Sequence, residues 1–173
     1  ANISSYTKGI NGIMVDISHV SDDVFYQVMQ LSKAPAIASH SSCRAFTPGW
    51  QRNISDDMIK LLAKNNGVIM IAFGRSFLNG EFRQKENKIW EYLAANKLTF
   101  DDPRAQEFIK KYWQENPPPA ITVVDVVNHI DHVVKLVGAD HVGFGSDFDG
   151  VSGSLPGDLK DVSQYPNIIS ELL

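Results

Sequence analysis

The stretch Gly12–Ser42, GIMVDISHVSDDVFYQVMQLSKAPAIASHSS, limits what this chain can fold into more than any other. It holds two short apolar runs with one segment of helical length between them. The first run, from Gly12 to Ser18, ends at His19, and the second, from Ala36 to Ser39, ends at His40. Strand, helix and strand in that order predict a parallel βαβ unit, because parallel strands need a long crossover and that crossover is normally a helix. In such a unit both histidines lie at C-terminal strand ends, the side on which α/β sheets and barrels hold ligands and metals. A single histidine at a strand end is usually structural. Two at equivalent ends of successive strands point to metal ligation, a common use of neutral imidazole.

The rest of the chain extends the same alternation. Ser21 followed by Asp22 and Asp23 predicts a capped helix start with acid placed against the helix dipole. Val24, Val28 and Leu31 predict its buried stripe. The loop Ser41–Asn53 carries Arg44, Trp50 and Arg52 at the end where active sites are built. Ser55 repeats the Ser-Asp-Asp start, with Met58, Ile59, Leu62 and Ala63 on one face and Asn66-Gly67 as the stop. The run Val68–Phe73 is continuously apolar, as suits a parallel strand covered on both faces. Residues 74–120 then interrupt the rhythm, because βα connections are normally a few residues long. Helices are predicted there over Glu81–Asn96 and Pro103–Glu115, forming a lid, a plain helical hairpin or a subunit contact. Thr122, with Asp125 three residues on, opens a helix along Val123, Val126, Val127, Ile130, Val134 and Val137. His129 and His132 on that helix are spaced for a metal, but capping, or hydrogen bonds that support other site residues, suit them better. The last predicted strand, Val142–Ser146, alternates Gly143 and Gly145 and so permits close approach by a backbone or ligand. Asp147 follows at the same strand-end rim as His19 and His40; Asp149, before Gly150, reads as a turn residue.

The order β-α-β-α-β-excursion-α-β-helix is that of an α/β protein with about four βα units, half of a (β/α)8 TIM-like barrel with a helical insertion. Residues 12–173 form this partial barrel, with the insertion at 74–120, and residues 1–11 read as a leader or linker remnant. A half-barrel has open strand edges, which predicts self-association or pairing with a missing N-terminal half. The net charge of −4 over 173 residues argues against nucleic acid as a partner. The one cysteine, Cys43, excludes an intrachain disulfide. No apolar run approaches the roughly 20 residues that span a bilayer.

Four separated motifs, DISHVSDD, SHSS, an Arg-Asn followed by Ser-Asp-Asp, and DHVGFGSDFDGV, together resemble the membrane dipeptidase (renal dipeptidase) family of zinc peptidases, over nearly the whole chain. The resemblance implies a (β/α)8 barrel with two zinc ions at its strand C-termini and dipeptides as substrates. It implies that His19 and His40 ligate one zinc, that Arg52 holds the free carboxylate of the dipeptide and that Asp147 is the acid/base. The family's early His-x-Asp motif and its bridging glutamate have no counterpart here, so one zinc site in this chain is incomplete and the chain alone is expected to be inactive. Phe77 stands where some members carry a substrate-touching tyrosine, and the excursion resembles the longer insertion of bacterial relatives. Two alternatives are another metal-dependent barrel amidohydrolase and a non-catalytic half-barrel that serves as an assembly unit.

Overall fold

The computed structural model describes residues 13–173. Its centre is a three-stranded parallel sheet, β1 (Ile37–Ser41), β2 (Val68–Ala72) and β3 (Val142–Ser146), in the order β1-β2-β3. Helices α1 (Asp22–Leu31) and α2 (Asp56–Lys64) lead into β1 and β2. Between β2 and β3 run α3 (Arg75–Leu78), α4 (Gly80–Ala95), α5 (Pro103–Glu115) and α6 (Val123–Val137), and α7 (Tyr165–Leu172) follows β3. None of the described helices is long and apolar enough to cross a membrane.

The expected first strand is the main departure. Over the described part of Gly12–Ser18 there is a single parallel bridge, Asp16 to Ile37. It is held by Ile17 N–H to Ile37 O (2.8 Å) and Ile37 N–H to Val15 O (3.0 Å). Ile13 and Met14 are exposed, and of the apolar run before the bridge only Val15 packs against the core among the described residues. The predicted leader, residues 1–11, lies outside them.

Local signals set the helix ends. Ser21 Oγ accepts from Val24 N–H and Ser55 Oγ from Met58 N–H. Thr122 and Asp125 close a reciprocal capping box, and Asp102 caps α5 with Pro103 in its first turn. These bonds satisfy amides that have no partner inside the helix. At the end of α2 it is Asn66 that takes the left-handed backbone, with φ +56°. The buried stripe of α1 is Phe25 and Val28, whereas Val24 and Leu31 are exposed. Helix α1 is thus rotated so that the Phe25 ring, with its large apolar area, goes inside while Tyr26 stays exposed. On α6 the stripe runs through Val126, His129, Ile130 and Val133, with Val134 outside. Central strand β2 buries Ile69 and Ile71 against the helices, while Val68 and Met70 on its other face are only half-buried.

The two predicted insertion helices form within a residue of their expected limits. They carry their own small core of Ile89, Leu93 and Ala105. Tyr92 stacks on Phe108, and Phe82 on Trp113, which ties this hairpin to the main core.

His129 and His132 do not converge on a metal. His129 is fully buried. Its Nδ1 accepts from Cys43 N–H (3.0 Å) and its Nε2 donates to Leu78 O (3.1 Å), pinning the loop after β1 and the end of α3 to α6. His132 Nε2 bonds Asp56 Oδ1 instead, at 2.8 Å. Burial pushes the His129 pKa from its ordinary 6.5 down to about 4. Between those values the unfolded chain binds a proton there that the native protein does not, so stability is complete above the unfolded value and falls on acidification. The loss from this one group is on the order of 3 kcal/mol by pH 4. Urea unfolding at pH 7 and pH 4.5 should show that loss, and His129→Leu should be weaker at pH 7 and less sensitive to pH across the same interval.

Candidate active site

The C-terminal ends of the strands bring four of the predicted residues to one rim. His40 lies on β1, and its N–H donates to Ser18 Oγ (3.1 Å) in the segment that carries His19. His19 itself takes a left-handed backbone, φ +65°, which turns the chain out of the Asp16 bridge. The two rings then meet edge to edge, with His19 Nε2 and His40 Nε2 2.9 Å apart. Both ladders change register near these ends, between Ala38 and Ser41 and between Ile71 and Ala72. Such irregularities re-aim side chains at a sheet rim.

Asp16 organises the floor below the rings. Its Oδ1 accepts from Ser18 N–H (2.9 Å) and Ser39 N–H (3.1 Å), and its Oδ2 accepts from Ser39 Oγ (2.5 Å). Ser39 Oγ also lies 2.7 Å from His40 Nδ1. Burial alone would raise the Asp16 pKa, but the bonds from Ser39 and Ser18 outweigh it and hold the carboxyl below its usual range. The sequence gives one signal for Asp16, a charge set inside an apolar run.

Arg52 reaches the same point from the loop after β1. Its Nη2 donates to His19 Nε2 (3.0 Å), its Nη1 donates to Ser41 Oγ (2.8 Å), and its guanidinium lies 4.9 Å over the Phe77 ring. The neighbouring Asn53 is the buried hub that fixes this loop. It accepts from Ser42 N–H (2.9 Å) and donates to Thr47 Oγ1 and Phe77 O, each at 2.8 Å. No sequence pattern marks Asn53, because its partners come from distant segments. Arg44 faces away from the rim and forks Asp22 at the start of α1, at 2.6 and 2.8 Å.

Asp147 follows β3 with φ +62°, and its C=O accepts from Gly150 N–H (3.0 Å) to close a turn. A Cβ on Gly150 would lie 2.1 Å from Asp147 Oδ1, so the Asp147 side chain folds back over a position that only glycine leaves free. Asp149 is an exposed turn residue, as expected. At Gly145 a Cβ would meet Met70 O and Ser39 O at 2.6 Å each, the close backbone approach that its place in the strand predicted. The carbonyl of β1 reaches β3 across β2, so the sheet is strongly curled at this end.

Burial, then the positive charges of Arg52 and His40, lower the His19 pKa; the charges of Asp147 and Asp16 oppose them. Burial also lowers the Arg52 pKa, again against Asp147 and Asp16. The Asp147 carboxylate therefore acts electrostatically on both partners at the rim. A cavity of about 530 Å³ opens beside it, between the insertion and the loop after β3, and shares Phe77 and Trp50 with the Arg52 loop.

The residues present fit part of a metal centre. Two imidazole nitrogens stand 2.9 Å apart, and tetrahedral zinc ligands at ~2.0–2.1 Å would stand about 3.3 Å apart, so the rings need open by only a few tenths of an ångström, with Arg52 giving up its bond to His19 Nε2. Among the described residues no third His, Cys, Asp or Glu joins them to complete a shell. This electrostatic coupling has a direct test in an NMR titration of the His19 ring. Asp147→Asn should lower its pKa further and Arg52→Gln should raise it; a His19 pKa insensitive to both would remove these groups from the rim.

Known proteins share this arrangement of strands. The dipeptidase tcpJ of Claviceps purpurea is 36% identical over 162 residues, covering 94% of this chain and 29% of that protein. The crystal structure of PvdM from Pseudomonas aeruginosa matches with a TM-score of 0.70 at 30% identity, covering 92% of this chain and 44% of that one. A metallopeptidase from Rhodobacter sphaeroides, liganded with a phosphinate mimic of the dipeptide L-Ala-D-Ala, matches with a TM-score of 0.64 at 28% identity, covering 91% and 35%. The chain spans less than a third of the length of the curated relatives it matches. The family described as membrane dipeptidase (peptidase family M19) matches residues 10–173, and the chain belongs to that family.

Proposed function

We propose that this chain is the part of a zinc-dependent dipeptidase that carries His19 and His40 as metal ligands, Arg52 as the holder of the substrate carboxylate and Asp147 as the proton-handling group. The observation that carries the proposal is the meeting of two imidazole nitrogens 2.9 Å apart, with a guanidinium on one of them. The family match and the dipeptide mimic held by the Rhodobacter sphaeroides relative support the substrate class. The curled parallel sheet supports a place in the C-terminal half of a (β/α)8 barrel. Strand β3 pairs only with β2 among the described residues, which leaves an edge for further strands, from more of the chain or from a second copy. The same source supplies the remaining metal ligands.

Each residue's task follows from its chemistry. Bound zinc supplies a Lewis acid and a water of near-neutral pKa. Arg52 presents a planar fork that matches a carboxylate with two parallel bonds. Burial strengthens that interaction by stripping water from the guanidinium, which lies 4.9 Å over the Phe77 ring. Asp147 is a carboxyl on a tight turn, able to pass a proton to the departing amine. The 530 Å³ cavity next to Phe77 has aromatic walls, including Phe82, Trp90 and Trp113, and gives room for an apolar substrate side chain.

Steady-state kinetics with dipeptides, on the protein in its complete assembly, tests these roles. Asp147→Asn should lower kcat at least about 100-fold while bound zinc is retained. Arg52→Ala should act mainly on KM, lowering kcat/KM about 10- to 100-fold, because it removes binding already present in the ground state. Near-normal turnover in Asp147→Asn would overturn its assignment, and an unchanged KM in Arg52→Ala would move the carboxylate site elsewhere.

A further inference from the structure

We propose that Asp16 and Ser39 are positioning residues that lock His40 in the Nδ1–H tautomer, so that its Nε2 is held as a bare lone pair 2.9 Å from His19 Nε2. The relay follows from counting protons. Asp16 receives two backbone amides, which can only donate, and its Oδ2 lies 2.5 Å from Ser39 Oγ. An ionised carboxylate has no proton to give, so the Ser39 hydroxyl donates its single hydrogen to Asp16. Ser39 Oγ is then left with lone pairs only. The 2.7 Å contact to His40 Nδ1 is a hydrogen bond only if the ring nitrogen is the donor. In the neutral ring the other nitrogen, Nε2, is therefore unprotonated.

The same count applies to His19 from the opposite side. Arg52 has no acceptor, so the 3.0 Å contact from its Nη2 places a lone pair on His19 Nε2. That lone pair is taken by Arg52, so the 2.9 Å approach of His40 Nε2 to His19 Nε2 shares no proton and is set by groups outside the pair. Three separate segments supply those groups: the bridge at Asp16, strand β1 at Ser39 and the loop at Arg52. A hydroxyl thus stands between carboxylate and imidazole, where direct carboxylate–histidine contact is the commoner way to fix a metal-bound ring. The tautomer stands on hydrogen bonds alone; its use in holding a metal rests on the function proposed above.

Asp16→Asn gives a sharp test because it should reverse the relay. The amide oxygen keeps the two backbone bonds, and the amide NH₂ takes the place of Oδ2 and donates to Ser39 Oγ. The Ser39 hydroxyl then turns to donate to His40 Nδ1, which moves the ring proton to Nε2. Long-range proton–nitrogen NMR of ¹⁵N-histidine-labelled protein without metal, at a pH where the rings are neutral, reads this directly. The wild type should show a pyrrole-type Nδ1 and a pyridine-type Nε2 for His40, and Asp16→Asn should show the reverse. Ser39→Ala should lose the fixed tautomer and Ser39→Thr should restore it. Zinc affinity, measured by competition with a chromophoric chelator, should fall about 10- to 100-fold in Asp16→Asn and Ser39→Ala and recover in Ser39→Thr. A proton on His40 Nε2 in the wild type would overturn the relay, and that measurement needs no variant to fold. A folded Asp16→Asn with an unchanged tautomer would overturn it too. The expected tautomers with no zinc binding in any form would keep the relay and sink the metal assignment instead.

Discussion

Everything at the rim depends on one constraint, that parallel strands joined by helices deliver their C-terminal ends to the same side. His40 lies next to the last residue of β1, Asp147 follows β3, and His19 leaves the bridge that runs alongside β1. Residues separated by more than a hundred positions in the chain thereby come close enough for the charge of Asp147 to act on His19 and Arg52. The curl of the sheet adds the second requirement. Only a strand without a side chain at Gly145 lets the Ser39 and Met70 carbonyls come so close, and this draws β1 and β3 together at the end that carries the chemistry. A flat sheet of the same strands would leave His40 and Asp147 on separate ridges.

The core serves that geometry by fixing the loops. His129 is buried without charge and spends both ring nitrogens on backbone groups of the β1 loop and of α3. Asn53 does the same for the loop that aims Arg52, and the Arg44–Asp22 fork clamps the start of α1 against it. Buried polar groups of this kind are costly unless every partner is present, so they specify one loop conformation rather than several. The insertion packs through its own aromatic cluster and walls the cavity beside Arg52.

Much of this was legible in the sequence. The strands at Ile37, Val68 and Val142, the Ser-Asp-Asp caps and the Thr-x-x-Asp box depend on near neighbours, and local patterns report them well. Strand polarity made a common rim for His19, His40 and Asp147 legible as well, whereas Arg52 is singled out from Arg44 on the same loop only by the family resemblance. The rest depends on contacts far along the chain. The run before His19 reads as a strand, yet it pairs only through Asp16, since a strand needs a partner over its whole length and the described residues supply one bridge. The buried stripe of α1 includes Phe25 rather than Leu31 because packing selects among periodic positions that propensity cannot rank. Asp16 and Asn53 act largely through partners far along the chain, Ser39 for the one and Phe77 for the other, that no spacing rule connects to them.

The central claim is that His19 and His40 present their Nε2 atoms to one shared point. Paramagnetic cobalt(II), titrated into the protein and followed by NMR of its five histidine rings, tests it most directly. The rings of His19 and His40 should shift and broaden together at the lowest cobalt concentrations, before those of His129, His132 and His141. A first response at His132 or His141, or separate responses of His19 and His40, would contradict the shared point and the metal centre built on it.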